Sequence, residues 1–400
     1  MLGAGAAGFL AATRAAQCGR EVVLLEKNRK PGVKILMSGG TRCNLTQATD
    51  RRGIAEAFGK QGRFLHSALA ALGPDELVAL FEAEGVATKV EPTGKIFPVS
   101  DRAVDVVEAL KRMLKHSGAK LLLEHAVMGL EKSDTGFVIR LTQGDLAAKK
   151  VILTTGGQSY PGCGTTGDGY AWAKQLGHKI VPTRPSLVPL LSDLQWVQAL
   201  SGVTVTDVGV KVVDGSAAKS KPLATARGSF LFTHFGLSGP VVMDVSRAIT
   251  AQPDAVDWRM ECDFVPNRNE DQLREALSSG GKTVFAVVSQ WLPKRLGEVL
   301  LGQAEIELEG RTAELPKKRL NRLIDLLKRN AISIHGSQGF KKAEVTAGGV
   351  DLREVDSKTM QSKLCPDLYF AGEILDLDGP IGGYNFQAAF STGWLAGSSI

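Results

Sequence analysis

Three glycines near the start of the chain have the spacing that holding a dinucleotide requires. Gly3, Gly5 and Gly8 form a G-x-G-x-x-G run. In such a run the first glycine permits a tight strand-to-helix turn, the second lets backbone N–H groups approach a pyrophosphate, and the third packs helix on sheet. The anion then rests at a helix N-terminus. Glu26 follows about twenty residues on, where the end of a second strand offers a carboxylate to the hydroxyl pair of a ribose. Glycine is abundant, 45 of 400 residues, so the spacing alone is weak. Its context strengthens it: an alanine-rich helix to Gln17, then an apolar β-run closed by Glu26.

Further stretches carry chemistry-bearing residues. Lys34 leads into Ser38-Gly-Gly-Thr-Arg42-Cys43-Asn44, either a polar loop that hugs a ligand or an ordinary surface turn. Thr154-Thr155-Gly156-Gly157 ends a buried strand in glycines that let backbone pass beside a cofactor. Thr165-Thr-Gly167-Asp168-Gly169 opens a second helix, with Asp168 read first as its cap. Near the far end, Leu368 to Phe370 is a buried strand followed by Gly372 and Glu373. It leads through Asp376, Asp378, Gly379, Gly382, Gly383, Tyr384, Asn385 and Gln387 into a small-residue helix over 388–396. A glycine-rich loop opening a helix there aims N–H groups at a phosphate or an electron-rich ring edge.

Among the elements that position these residues, short β-rich runs are expected at 120–123, 126–131, 137–141 and 149–154. Helix is expected at 65–84 and from Ser100, which reads as an N-cap, and 94–98 reads as a hairpin edge. From about residue 190 the pattern turns β-rich, and 267–335 is mostly helical in pattern, ending in an amphipathic helix over 316–329 with a basic outer face. The length fits two domains. An apolar fraction of 44% with 22% charged residues is that of a globular protein. Five scattered cysteines, Cys18, Cys43, Cys163, Cys262 and Cys365, without a C-x-x-C pair or a histidine cluster, argue against a zinc site or a disulfide framework. No apolar run reaches bilayer length and no leader pattern is present, which gives a cytoplasmic expectation with no membrane contact. A net charge of +6 and a pI near 9.0 admit a polyanionic partner without requiring one. Only Met1 and Leu2 precede Gly3, so the first strand of the sheet is expected to be stunted.

Taken together the chain resembles a bacterial flavoprotein family, the YhiN-like or BaiN-like (HI0933-type) NAD(P)/FAD-dependent oxidoreductases. The resemblance rests on Gly3 to Gly8, Ser38 to Asn44, Gly94 to Pro98, Thr155 to Pro161 with Thr165 to Tyr170, Leu231 to Pro240, Thr346 to Val350, Thr359 to Lys363 and Leu368 to Gly397. It implies an α/β fold: a Rossmann-like FAD-binding domain of glutathione-reductase type over 1–188 and 338–400. A substrate or cap domain over 189–337 would be inserted, a β-barrel over 189–262 and a helical subdomain over 263–337. By the same resemblance Gly3, Gly5, Ala6, Ala7 and Gly8 meet the FAD pyrophosphate, and Glu26 with Lys27 the adenosine ribose. Lys34, Ser38, Gly39, Arg42, Cys43 and Asn44 lie beside the flavin or its phosphates, Gly156 and Gly157 near the adenine half, and Val127 and Thr155 are further cofactor-binding residues. Gly372 and Glu373 face the ribityl chain, Gly382, Gly383, Tyr384 and Asn385 the pyrimidine edge of the ring, and Asp378 is a further cofactor-binding residue. Thr41, Lys95, Ser229 and Gln361 depart from the family pattern.

The chemistry the resemblance implies is reduction of an electron-poor ring C=C. Hydride from flavin N5 adds to the β-carbon, the conjugated carbonyl carries negative charge, and an acid protonates the α-carbon. Family members are associated with enone-type steroid reduction and with making dihydrouridine in ribosomal RNA. With a single G-x-G-x-x-G there is no separate nicotinamide domain, so NAD(P)H would be a transient electron donor. Candidates for the acid are Cys43, Tyr160 and His234, each with a plain packing alternative. A ribosomal RNA substrate would meet Lys317, Lys318, Arg319 and Arg322. An amine or dicarboxylate flavin oxidoreductase and an FAD-stabilised binding protein without catalysis stand as alternatives. No metal site is expected.

Overall fold

A computed structural model of the chain describes residues 1–215, 221–252 and 257–400. The elements that position the site are, in chain order, helix α1 (Ala6–Gln17), strand β1 (Val23–Leu25), helix α2 (Val33–Thr41), helix α3 (Ala103–Ser117), strand β2 (Val151–Leu153), helix α4 (Asp168–Gln175), helix α5 (Lys317–Lys328), strand β3 (Val345–Val350), strand β4 (Leu368–Phe370) and helix α6 (Tyr384–Ser399). They fall into two units, one made of Met1–Pro185 with Glu344–Ile400, the other of Ser186–Ala343.

The first unit is built on parallel pairing. Strand β1 pairs with 120–122, Leu2 bridges both Leu25 and Leu153, and β2 pairs with β4. The spatial order is therefore 120–122, β1, Leu2, β2, β4, the doubly wound pattern in which ligands bind beyond the strand ends where the order reverses. The central position is held by a single residue, as the brevity of the run before Gly3 leads one to expect. Helix α1 buries Ala6, Ala7, Ala11, Ala12 and Ala15 beside Phe9 and Leu10, and α6 brings glycines against it: a Cβ at Gly393 would lie 2.3 Å from the Ala7 carbonyl oxygen, and one at Gly397 2.4 Å from that of Ala11. Small residues on both helices thus bring the two ends of the chain into backbone contact. Helix α3 packs on α1 and α2 through Val106, Val107, Leu110 and Leu114.

Local expectations needed revision. The helix expected over 65–84 is two, His66–Ala71 and Pro74–Ala83, because Pro74 cannot continue a helix and instead starts one. Helix α3 begins at Ala103 rather than Ser100. Asp101 intervenes with a φ of 54°, its carboxylate held by Lys89 and Arg42. Lys95–Pro98 is the middle strand of three, between 46–47 and 88–90, not an edge.

The second unit contains a seven-stranded antiparallel sheet in the order 330–334, 258–263, 204–214, 224–233, 236–238, 190–191, 336–337. Its first and last strands share no ladder among the described residues, so the expected closed barrel is an open sheet. The stretch 263–337 is helical only as far as α5. Residues Asn330–Ile334 alternate, with Asn330, Ile332 and Ile334 buried and Ala331 and Ser333 exposed, the period of a strand. Helix α5 buries Leu320, Leu323, Ile324 and Leu327.

Candidate functional site

The glycine turn behaves as its spacing predicts. Helix α1 starts after Gly5 with no side-chain cap and no acid in its first turn, and a Cβ added at Gly5 meets nothing within 4 Å. Open space thus lies over a helix N-terminus, where backbone N–H groups and the helix dipole favour an anion. Gly8 is required by packing, since its Cβ would fall 1.9 Å from the Gly3 carbonyl oxygen. Glu26, buried, reaches back to this turn: its Oε2 accepts from the Ala4 N–H at 2.9 Å and its Oε1 from the Asn28 N–H at 2.9 Å. Each oxygen keeps a lone pair for a further donor such as a ribose hydroxyl. Lys27 turns to Asp168, at 2.7 Å, and Thr166. Asp168 is therefore no cap; Gly167 takes the N-cap position of α4, and the acid is its first helical residue.

A second cluster gathers around Glu373. Its Oε2 takes Lys34 Nζ at 2.5 Å, and its Oε1 accepts from Ser159 Oγ at 2.7 Å and from the Thr346 N–H at 2.8 Å. Lys34 also donates to Ser159 Oγ at 2.7 Å. Thr346 Oγ1 accepts from the N–H groups of Gln158 and Ser159, so Gly157 is forced: a Cβ there would sit 2.4 Å from Thr346 Oγ1. Ser159 and Thr346 are fully buried and were not singled out by sequence reasoning. Gly372, with a φ of 79°, lies against α1, where its Cβ would be 2.8 Å from that of Ala7. Val127 starts the outer strand 127–133, half-buried, and the Thr155 hydroxyl is buried against Gly169.

The loop after Lys34 is wound unusually. Helix α2 breaks at Ser38, Gly39 and Gly40, and Thr41 and Cys43 hold φ of 69° and 62°. Ser38 Oγ donates to the Ile35 carbonyl at 2.8 Å. The Arg42 guanidinium lies 4.1 Å from the Phe97 ring centroid and 2.6 Å from Glu91. With its amide turned to the orientation that satisfies its neighbours, Asn44 donates to the Thr46 and Ile96 carbonyls and accepts from the Gly383 N–H at 2.9 Å, joining this loop to the start of α6. Gly383 has a φ of 93° and caps α6 without a side chain. Asn385 closes the 379–385 loop through Gly379 N–H at 2.8 Å and the Gly379 and Pro380 carbonyls. Asp378 is buried beside Asp376, and burial followed by that second carboxylate raises the Asp376 pKa.

The three acid candidates occupy different settings. Cys43 is enclosed by protein at 0% exposure, and burial pushes its thiol up to about 12. Tyr160, half-buried, has a φ of 53° and a phenol raised chiefly by burial and then by Glu344. His234 lies on the 233–236 turn of the second unit, exposed with its ring against Phe235, so the satisfied core histidine that its apolar flanks suggest is not what is found.

A model of the HI0933-like protein Rossmann domain matches residues 1–399. The chain belongs to that family. Curated relatives align over nearly the whole of both chains. One is 34% identical over all of this chain and 97% of its own length, the ribosomal RNA dihydrouridine synthase of Haemophilus influenzae. The protein of the same name from Escherichia coli gives the same identity and coverage. The 3-dehydro-bile acid delta(4,6)-reductase of Clostridium scindens is 34% identical over 99% of this chain and 97% of its own. Among solved structures, the 3-ketosteroid delta1-dehydrogenase of Sterolibacterium denitrificans shares the fold at a TM-score of 0.52 and 15% identity, covering 99% of this chain and 97% of that one. The chain is an FAD-dependent oxidoreductase. The residues present fit the cofactor: the open N-terminus of α1 suits its pyrophosphate, and Glu26 has acceptor capacity left for a ribose. No single helix among the described residues is long and apolar enough to cross a membrane.

Proposed function

We propose that this protein reduces a ring C=C conjugated to a carbonyl, with NAD(P)H as electron donor and uracil in ribosomal RNA as substrate. The observation that carries the reading is the full-length relation to proteins named for dihydrouridine synthesis in ribosomal RNA and for reduction of a 3-dehydro-bile acid. A uracil and a steroid enone share one reacting unit, a double bond whose negative charge on hydride addition is carried by the conjugated oxygen. Bound FAD supplies the hydride chemistry. The chain must supply binding, water exclusion and a proton. Of the candidate acids Tyr160 suits the last task best. It is partly accessible where Cys43 is enclosed, and a phenol carries its proton at neutral pH with or without burial, so it can be given to an α-carbon. Lys317, Lys318 and Arg319 are exposed and take part in no ion pair among the described residues, which suits them to phosphates. Arg322 is drawn to Glu305 at 2.9 Å.

The test separates the two half-reactions. Under anaerobic conditions NADPH or NADH should bleach the flavin absorbance, and a uridine-bearing ribosomal RNA fragment should restore it. The Tyr160→Phe variant should bleach at the same rate and recover about 100-fold more slowly. Reoxidation by a steroid enone and not by RNA would move the substrate to the other branch, and equal recovery in the variant would remove Tyr160 as the acid.

A further inference from the structure

Glu373 has three donors, yet only one of them carries charge. Lys34 and Glu373 are 25% and 19% exposed, and at that depth an unpaired carboxylate is costly. The two neutral donors, Ser159 Oγ and the Thr346 N–H, come from segments fixed to one another through Thr346 Oγ1. The ammonium comes from α2, whose next turn is the left-handed stretch at Gly39, Gly40 and Thr41. Glu373 directly follows Gly372, which packs on Ala7 in the first turn of α1. The backbone of Glu373 therefore adjoins a residue packed on the first turn of α1, and an uncompensated negative charge on its side chain would oppose an anion bound at that helix end.

We propose that Lys34 is a positioning residue that acts through Glu373, neutralising its carboxylate and holding it in place, so that FAD affinity and the flavin's potential depend on the pair. The inference rests on FAD binding in this unit and goes beyond it by giving Lys34 no direct role toward the cofactor. Removing the ammonium leaves a negative charge that weakens anion binding and disfavours the electron-rich reduced flavin. Removing both charges restores the balance.

The experiment titrates the apoprotein of wild type, Lys34→Met, Lys34→Arg, Glu373→Gln and the Lys34→Met, Glu373→Gln double variant with FAD, and measures the midpoint potential of each holoprotein. Lys34→Met should bind FAD about tenfold more weakly, with a more negative potential. Lys34→Arg should recover most of both. The double variant should bind as Glu373→Gln does, since the effect of Lys34 requires a charged partner. Wild-type affinity and potential in Lys34→Met would overturn the proposal, as would a loss in the double variant equal to the sum of the two singles. Wild-type protein that takes up no FAD would instead overturn the cofactor reading itself. Should Lys34→Met fail to fold, the double variant is compared with Glu373→Gln alone: equal FAD affinity and potential support the proposal, and weaker binding in the double variant overturns it.

Discussion

Glu26 and Glu373 are both acids at strand ends, and they differ in how they are held. Glu26 takes two backbone N–H groups from residues at or near the two turns it joins, an arrangement that spacing within one strand-helix-strand unit foretells. Glu373 takes side chains 339 and 214 positions away. Sequence separation of that size carries no periodic signal: Glu373 was legible as the acid after a buried strand, whereas Ser159 and Thr346, though inside stretches that carry the resemblance, gave no sign that they meet it. His178 was likewise missed. It is buried, with Nε2 2.8 Å from Ser362 Oγ, Nδ1 3.3 Å from Glu354, and its ring edge-on to Phe370 at 4.7 Å. Burial lowers its pKa from the ordinary 6.5, with Glu354 opposing. In the unfolded chain the imidazole takes up a proton near that ordinary value, whereas the folded state resists. Stability from this site is thus complete above about pH 6.5 and falls as pH drops below it. Thermal melts should show this decline, and His178→Gln should melt lower at neutral pH with a shallower fall below about pH 6.5; an unaltered slope would contradict the assignment.

At the scale of elements, helices with long apolar periodicity were legible and chain breaks inside them were not. Pro74 splits 65–84 because a proline suits a first turn and not an interior. The strand 330–334 hid behind the helical pattern of α5, since five residues of alternation are too few to outweigh twelve of helical period. Helix α5 itself was legible in both its apolar and basic faces. Its charge is partly consumed: Arg322 pairs with Glu305 and Lys328 with Asp263 at 2.6 Å. If the free cations at its start meet phosphates, reversing Lys317, Lys318 and Arg319 to glutamate should weaken ribosomal RNA binding. The slope of log affinity against log salt should fall by about 2 to 3. Melting temperature should hardly move, because these side chains are exposed. An unchanged salt slope would show that the helix is only a solvated face.

At the scale of the whole molecule, both chain ends build one unit and the middle builds the other. The α1 and α6 contact that joins the ends depends on small residues at positions 393 and 397, which a sequence shows as composition and a structure shows as fit. The residues of the second unit read only as β-rich; the barrel came with the family resemblance, and the ladder order shows an open sheet. The alignment with relatives runs the full length of the chain at 34% identity, which establishes the family and leaves the substrate to be measured. That measurement is a map of dihydrouridine in ribosomal RNA from cells with and without this gene. One modified uridine should disappear on deletion and return when the wild-type gene is restored; an identical dihydrouridine map in the two strains would contradict the proposed substrate.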